Sequence, residues 1–353
     1  MRKKAGITLF MFALLYLLCN ALAFRLLPSV PSAFEAARNP FRFRGFPEYV
    51  RGPAQSDSPG RKTVALISNS QAYAGELPSN YGYPHRLRKA LNARGVAGCT
   101  NWAGLNWSSD GMTSIEYMIL AAKLRDEHPD MVLAVTGYAD YRAAHANEGF
   151  GFCRTDVPLL ATRWKIARHL PLSYWRRHLK VEDALTAFIH ARLPLNRFPE
   201  YFWSYMDFKF PGALNLFYAP FMGYQPWELR VKSVTKPLKL NAGPAQELVF
   251  IYDDSSLVML EEYLWQLKAL PSPVMVVSQP VRVNQKDFRS AWHFRFQDDI
   301  RRLTSQIGLP YEDMTGVLPG GDFITSSHLN ADNHQRFAEK LADFVAARLG
   351  GGS

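Results

Sequence analysis

The sequence predicts an α/β protein: a parallel sheet in three layers, carrying a large central insertion and preceded by an N-terminal membrane-anchor segment. Three observations predict it. Short β-branched, apolar runs alternate with helix-length stretches in both halves of the chain, and the runs stop at polar loops. A basic, aromatic-rich stretch of different composition separates the two halves.

Arg2, Lys3 and Lys4 precede a mostly apolar run from Ile7 to Phe24. This approaches the roughly 20 residues needed to span a bilayer and exceeds the core of an ordinary signal peptide. Residues 1–26 are therefore expected to form an uncleaved anchor, with the body outside the cytoplasm. Ala21-Leu22-Ala23 also fits a signal peptidase site, so a cleaved signal stays open. Residues 27–61, rich in Pro, Ser, Arg and Gly, read as a stalk.

The folded body is expected over 62–162 and 246–353. A strand is predicted from Thr63 to Ile67, ending at Ser68-Asn69-Ser70, and a helix from Pro84 to Arg94 with Gly95 after it. A second strand is expected to end near Asn101. A helix follows from Thr113 to Asp126, then a strand from Asp130 to Thr136 that stops at Gly137-Tyr138-Ala139-Asp140. In the second half, Leu248–Tyr252 reads as a strand, Leu257–Ala269 as a helix and Val274–Ser278 as a buried strand before Gln279-Pro280. A helix over 287–306, a short strand from Pro310 to Asp313 and a terminal helix from Asn330 to Leu349 complete the pattern. The insertion, 163–245, holds the aromatic stretches 201–205 and 217–221, which suit a glycan groove, a membrane interface or a small helical core.

At 353 residues with 48% hydrophobic and 20% charged residues, the chain can bury a substantial core. Its net charge of +10 suits an anionic partner, but no zinc-finger spacing or RNA-binding motif points to nucleic acid. Outside the anchor only Cys99 and Cys153 remain, equally readable as one disulfide or as two buried thiols. No motif calls for a metal or an organic cofactor. His145, His169, His178 and His190 are scattered without ligand spacing.

In a parallel sheet, ligands bind beyond the carboxyl ends of the strands, which singles out the polar loops. Ser68-Asn69-Ser70, Gly104, Gly137-Tyr138-Ala139-Asp140 and Thr325-Ser326-Ser327-His328 fall in an order and strand context that resembles the SGNH (GDSL-type) hydrolase superfamily. The resemblance covers about 62–140 and 274–349. It implies a flavodoxin-like sheet, with Ser70 as nucleophile, His328 as acid and base, and Gly104 as an oxyanion donor. Asn69 stands at the family's block I Asp and Asp140 closes block III. A serine needs such a base, and an imidazole with an unperturbed pKa of about 6.5 suits the task. Taken singly, Ser70 also reads as a helix cap, Gly104 as a turn residue and His328 as a helix-start residue.

Two departures stand out. The family's block III Asn, a side-chain oxyanion donor, is Ala139, for which Asn101, Asn106 or Tyr138 are candidate replacements. The block V Asp is Thr325, leaving Asp322 or Asp313 to orient His328. Anchor, SGNH-like body and basic aromatic insertion together are similar to polysaccharide O-acetylation and D-alanine transfer proteins, which work beside a membrane-bound O-acyltransferase. The resemblance implies an O-acyltransferase or O-acetylesterase for a cell-surface polysaccharide, single-pass in the inner membrane with a periplasmic body. A non-catalytic protein of the same fold that binds polysaccharide or scaffolds an export complex is the alternative.

Overall fold

The structure, a computed structural model, describes residues 2–26, 60–73, 82–108, 112–144, 167–174, 250–282, 289–318, 323 and 328–350. The chain divides into two compact units, Met1–Pro47 with Lys180–Pro226, and Glu48–Leu179 with Trp227–Ser353.

Of the first unit, the described part is helix α1 (Arg2–Leu26), 25 residues long. Its described side chains run over 6–8, 10–19 and 21–22, and the large apolar ones among them, such as Phe10, Phe12 and Leu18, are exposed. Among the described residues, no helix is long and apolar enough to cross a membrane. Nearly all of the stalk and of the expected insertion lies outside the described residues.

The second unit carries the sheet. Its elements are β1 (Lys62–Ser68), α2 (Ser70–Tyr73), α3 (Tyr83–Arg94), β2 (Trp102–Ser108), α4 (Ser114–Glu127) and β3 (Met131–Thr136), followed by α5 (Asp254–Lys268), β4 (Val274–Ser278), α6 (Ala291–Ile307), β5 (Tyr311–Asp313) and α7 (Ala331–Gly350). All four strand pairings are parallel and the order is β2-β1-β3-β4-β5, as the resemblance implies.

Local chemistry explains most boundaries. Pro84 sits in the first turn of α3, and Gly95 ends the helix in the left-handed conformation at φ 57°, which a residue without a Cβ adopts without strain. Thr113 and Glu116 close a capping box at α4, and Asp253 caps α5 by accepting from the N–H groups of Ser255 and Ser256. α3 and α7 pack together over one sheet face, where Val64, Leu66, Leu133, Val135, Met275 and Val277 meet Leu87, Leu91, Phe337 and Leu341. α5 packs against α4 and α6. All six residues of β3 are buried, as an inner strand covered on both faces requires.

Two expected strands are corrected. The second strand does not end near Asn101; it begins at Trp102 and runs to Ser108. Its Gly104 and Asn106 have poor strand propensity, and pairing with β1 overrides that preference. Of the expected strand Leu248–Tyr252, the described residues 250–252 hold no strand; Ile251 uses its carbonyl to accept the N–H of Ala143 instead. Cys99 is a buried free thiol within hydrogen-bonding reach of the Gly60 carbonyl at 3.4 Å, so it is not half of a disulfide. Cys153 lies outside the described residues.

Candidate active site

The strand order fixes where a site belongs. From β1 the chain winds outward to β2, then crosses back over β1 to β3, so the loops after β1 and β3 diverge at the carboxyl edge. Such a reversal opens a crevice. Asn69 and Ser70 leave β1 at that point, and the turn 137–140 leaves β3 beside it.

Ser70 opens α2, so its backbone N–H is among the first-turn amides that no carbonyl within the helix reaches. Its Oγ lies 2.9 Å from Nε2 of His328, contributed from 258 residues downstream. Both residues are half-buried. The segment bearing His328 is pinned on both sides. Leu329 forms an antiparallel bridge with Phe323, and Asn330 caps α7 by accepting the N–H of Asn333 at 2.8 Å. Arg86 of α3 also donates to the Ala331 carbonyl at 2.8 Å. The expected pair is thus brought together in hydrogen-bonding geometry.

Asn69 and Asp140 meet one step behind the pair. Asn69 Nδ2 lies 3.0 Å from each Asp140 carboxylate oxygen, and 2.7 Å from Oε1 of Gln279, which follows β4. Asn69 Oδ1 accepts the Gln71 N–H at 3.0 Å. Asp140 also accepts from the Tyr117 hydroxyl, the Thr136 hydroxyl and the Gly137 N–H at 3.0, 3.2 and 2.9 Å. Burial pushes its carboxyl above the ordinary value, opposed by those donors and by Arg142. Asp140 therefore holds loops rather than touching Ser70. Gln279 is the residue sequence reasoning missed as functional, although a polar residue directly after a buried strand is the position the crevice rule selects.

Gly104 is not beside Ser70. It pairs with Val64 inside β2, about 13 Å short of the strand's carboxyl end at roughly 3.3 Å per residue, and lies against Pro84 and Arg88 of α3. Its expected role as an oxyanion donor followed from placing β2 too early in the chain. Asn101 is excluded by the same shift, because it precedes the amino end of β2. Asn106 lies nearer, its amide donating to the Ala72 carbonyl at 3.4 Å and its Oδ1 accepting from Ser108 at 2.6 Å. Tyr138 is buried against the His293 ring. Asp313 engages Thr315 and Arg301. Asp322 and Thr325 lie outside the described residues.

Among the described residues no cluster of His, Cys, Asp and Glu could hold a metal ion. A shallow cleft lined by Arg301, Ser305, Tyr311 and Arg348 lies at the amino end of β5, away from Ser70.

No protein-family model and no curated protein matches the chain. Solved structures do. One is LAE5, an alpha/beta hydrolase enzyme from the metagenome of Lake Arreo, Spain, at 13% identity and TM-score 0.39, covering 80% of this chain and 94% of that one. Another is a catalytic mutant of Axe2, an acetylxylan esterase from Geobacillus stearothermophilus, at 11% identity and TM-score 0.40 over the same shares. A third is a carbohydrate esterase family 2 enzyme with a carbohydrate binding domain from Corynascus thermopiles (Myceliophthora fergusii), at 12% identity and TM-score 0.38, covering 82% of this chain and 67% of that one. At such identities the chemistry of the site has to be argued from its own residues.

Proposed function

We propose that the chain is a serine-dependent acyl-group hydrolase or transferase that acts on a cell-surface polysaccharide through an acyl-enzyme on Ser70. The observation that carries this reading is the 2.9 Å contact between Ser70 Oγ and His328 Nε2 at the carboxyl edge of the sheet. With Nε2 unprotonated, His328 accepts the hydroxyl proton as Oγ attacks the acyl carbon, and the ester C=O becomes a tetrahedral oxyanion. The Ser70 N–H, in the first turn of α2, is a backbone donor for that charge. When the intermediate collapses, the proton passes from His328 to the departing alkoxide and the acyl group stays on Oγ. Water or a sugar hydroxyl, deprotonated by His328, then attacks the acyl-enzyme, and the departing Ser70 oxygen takes that proton back from His328. Hydrolysis and transfer differ only in that second nucleophile.

Membrane anchoring through α1, with a periplasmic body beside a membrane-bound O-acyltransferase, belongs to the same proposal. It rests on the apolar run from Ile7 to Phe24, the preceding basic residues and the exposed apolar side chains of α1. A second reading, a polysaccharide-binding or scaffolding protein without turnover, is favoured by Ala139, which leaves the block III position with no side-chain donor.

The test is labelling of the full chain in detergent by a fluorophosphonate, comparing wild type with Ser70→Ala and His328→Ala. Labelling is expected in wild type alone. A folded wild type that never labels moves the assignment to the binding reading, and a Ser70→Ala variant that still labels rules out this serine.

A further inference from the structure

The turn carrying Ser70 is held by side chains from three different strand ends. Asn69, the residue between β1 and Ser70, uses both ends of its side-chain amide there. Nδ2 donates to Asp140 and to Gln279, and Oδ1 accepts from the Gln71 N–H. Which amide atom points where follows from the neighbours. The carboxylate of Asp140, already accepting from Tyr117, Thr136 and Gly137, demands a donor from Asn69. Gln279 must then offer Oε1 to Asn69, which turns its Nε2 toward Gly137. A Cβ at Gly137 would lie 2.7 Å from that Nε2, so the side chain fits only above a glycine. Two further bonds continue the arrangement, the Gln279 backbone N–H donating to the Thr136 carbonyl at 2.9 Å and the Gln71 side-chain Nε2 donating to the Pro280 carbonyl at 2.8 Å.

We propose that Asn69, Gln279 and Asp140 form a clamp that positions Ser70 for attack, with Gln279 as a positioning residue and Asn69 as the donor that joins Gln279 to the Asp140 carboxyl. This rests on Ser70 being the nucleophile. None of the three contacts Ser70 Oγ; they act by fixing the peptide that precedes it. The clamp ties together the polar loops at the carboxyl ends of β1, β3 and β4, and a misplacement of about 1 Å at a nucleophile costs about 100-fold in rate. An aspartate at position 69 would set two carboxyl groups about 3 Å apart, and such a pair retains one shared proton until the pH is high enough to remove it against the repulsion. Among the described residues, titratable or charged groups facing Asp140 include Tyr83 from α3, Tyr117 from α4, Tyr263 from α5, and Tyr141 and Arg142 from its own turn. The four tyrosines are raised by burial and stay neutral, so none supplies that proton near neutrality.

The experiment measures fluorophosphonate labelling rate against pH for the full chain in detergent, as wild type, Gln279→Met and Asn69→Asp. It also records the Ser70 amide resonance with selective ¹⁵N-serine labelling. Gln279→Met, similar in volume but unable to accept from Asn69, is expected to label about 10- to 100-fold more slowly while still unfolding cooperatively, with the Ser70 amide shifted. Asn69→Asp is expected to lose labelling as pH rises, along a limb absent from wild type. Equal labelling by Gln279→Met, or an Asn69→Asp profile parallel to wild type, overturns the clamp. If wild type itself does not label, the proposed function fails while the clamp is judged on the resonance: a Ser70 amide unmoved in Gln279→Met overturns it, and a shifted one sustains it.

Discussion

His334 accepts the backbone N–H of Tyr83 on its Nδ1 at 3.1 Å, so a residue of α7 caps the first turn of α3. α3 has no side-chain cap of its own: Gly82 stands at its N-cap and Pro84 follows. The His334 ring also stacks on Tyr83, whose hydroxyl donates to Ser68 Oγ at 3.1 Å, two residues before Ser70. His334→Phe keeps a ring in the stack but leaves a buried N–H without its acceptor. It is expected to destabilise the fold by about 1 to 3 kcal/mol, read from the urea midpoint at unchanged m-value.

Gly104→Ala separates the observed position from the expected one. A Cβ there would meet Arg88 Cβ at 3.7 Å and the Pro84 carbonyl at 3.8 Å, both ordinary contacts. The variant should be as stable as wild type or more so, by up to about 1 kcal/mol, because alanine loses less backbone freedom in a strand. Its fluorophosphonate labelling should be unchanged. A fall of about 100-fold would return Gly104 to the oxyanion site.

Gly137→Ala should behave differently. The added methyl would meet Gln279 Nε2 at 2.7 Å and Cδ at 3.0 Å, where the amide is held by Asn69. Gln279 has to swing away, so the variant is expected to lose about 1 to 3 kcal/mol by thermal unfolding. It should also reproduce the slowed labelling of Gln279→Met.

Asp140 gives stability a pH slope. Burial raises its carboxyl above 3.8, so between that value and its folded one the native chain holds more protons than the unfolded chain. Its contribution is therefore most favourable at low pH and declines as pH rises through the folded value. Asp140→Asn removes this slope, which urea titrations at a series of pH values would show as a flatter stability curve. An unchanged curve would mean that Asp140 titrates alike in both states.

Much of this was legible because local rules governed it. Val274–Ser278 is an uninterrupted apolar strand with both faces covered, and its limits match the sequence reading. Pro84 and Gly95 bracket α3, and Thr113 with Glu116 marks the start of α4. β2 was misread because Trp102-Ala103-Gly104-Leu105-Asn106 has little strand character of its own. Its register, Ser68 opposite Ser108, is set by backbone pairing with β1.

The α/β alternation and the order of the polar loops were legible in the sequence, since periodicity and caps are short-range, and the resemblance of four loops to one superfamily singled out Ser70 and His328 as candidates. The fold was needed to show that Ser70 Oγ and His328 Nε2 stand 2.9 Å apart, that Gly104 lies inside a strand and that Gln279 accepts from Asn69. Those relations join residues up to 258 positions apart, and their geometry comes from strand order, register and the packing of α7 on α3. No local pattern encodes them.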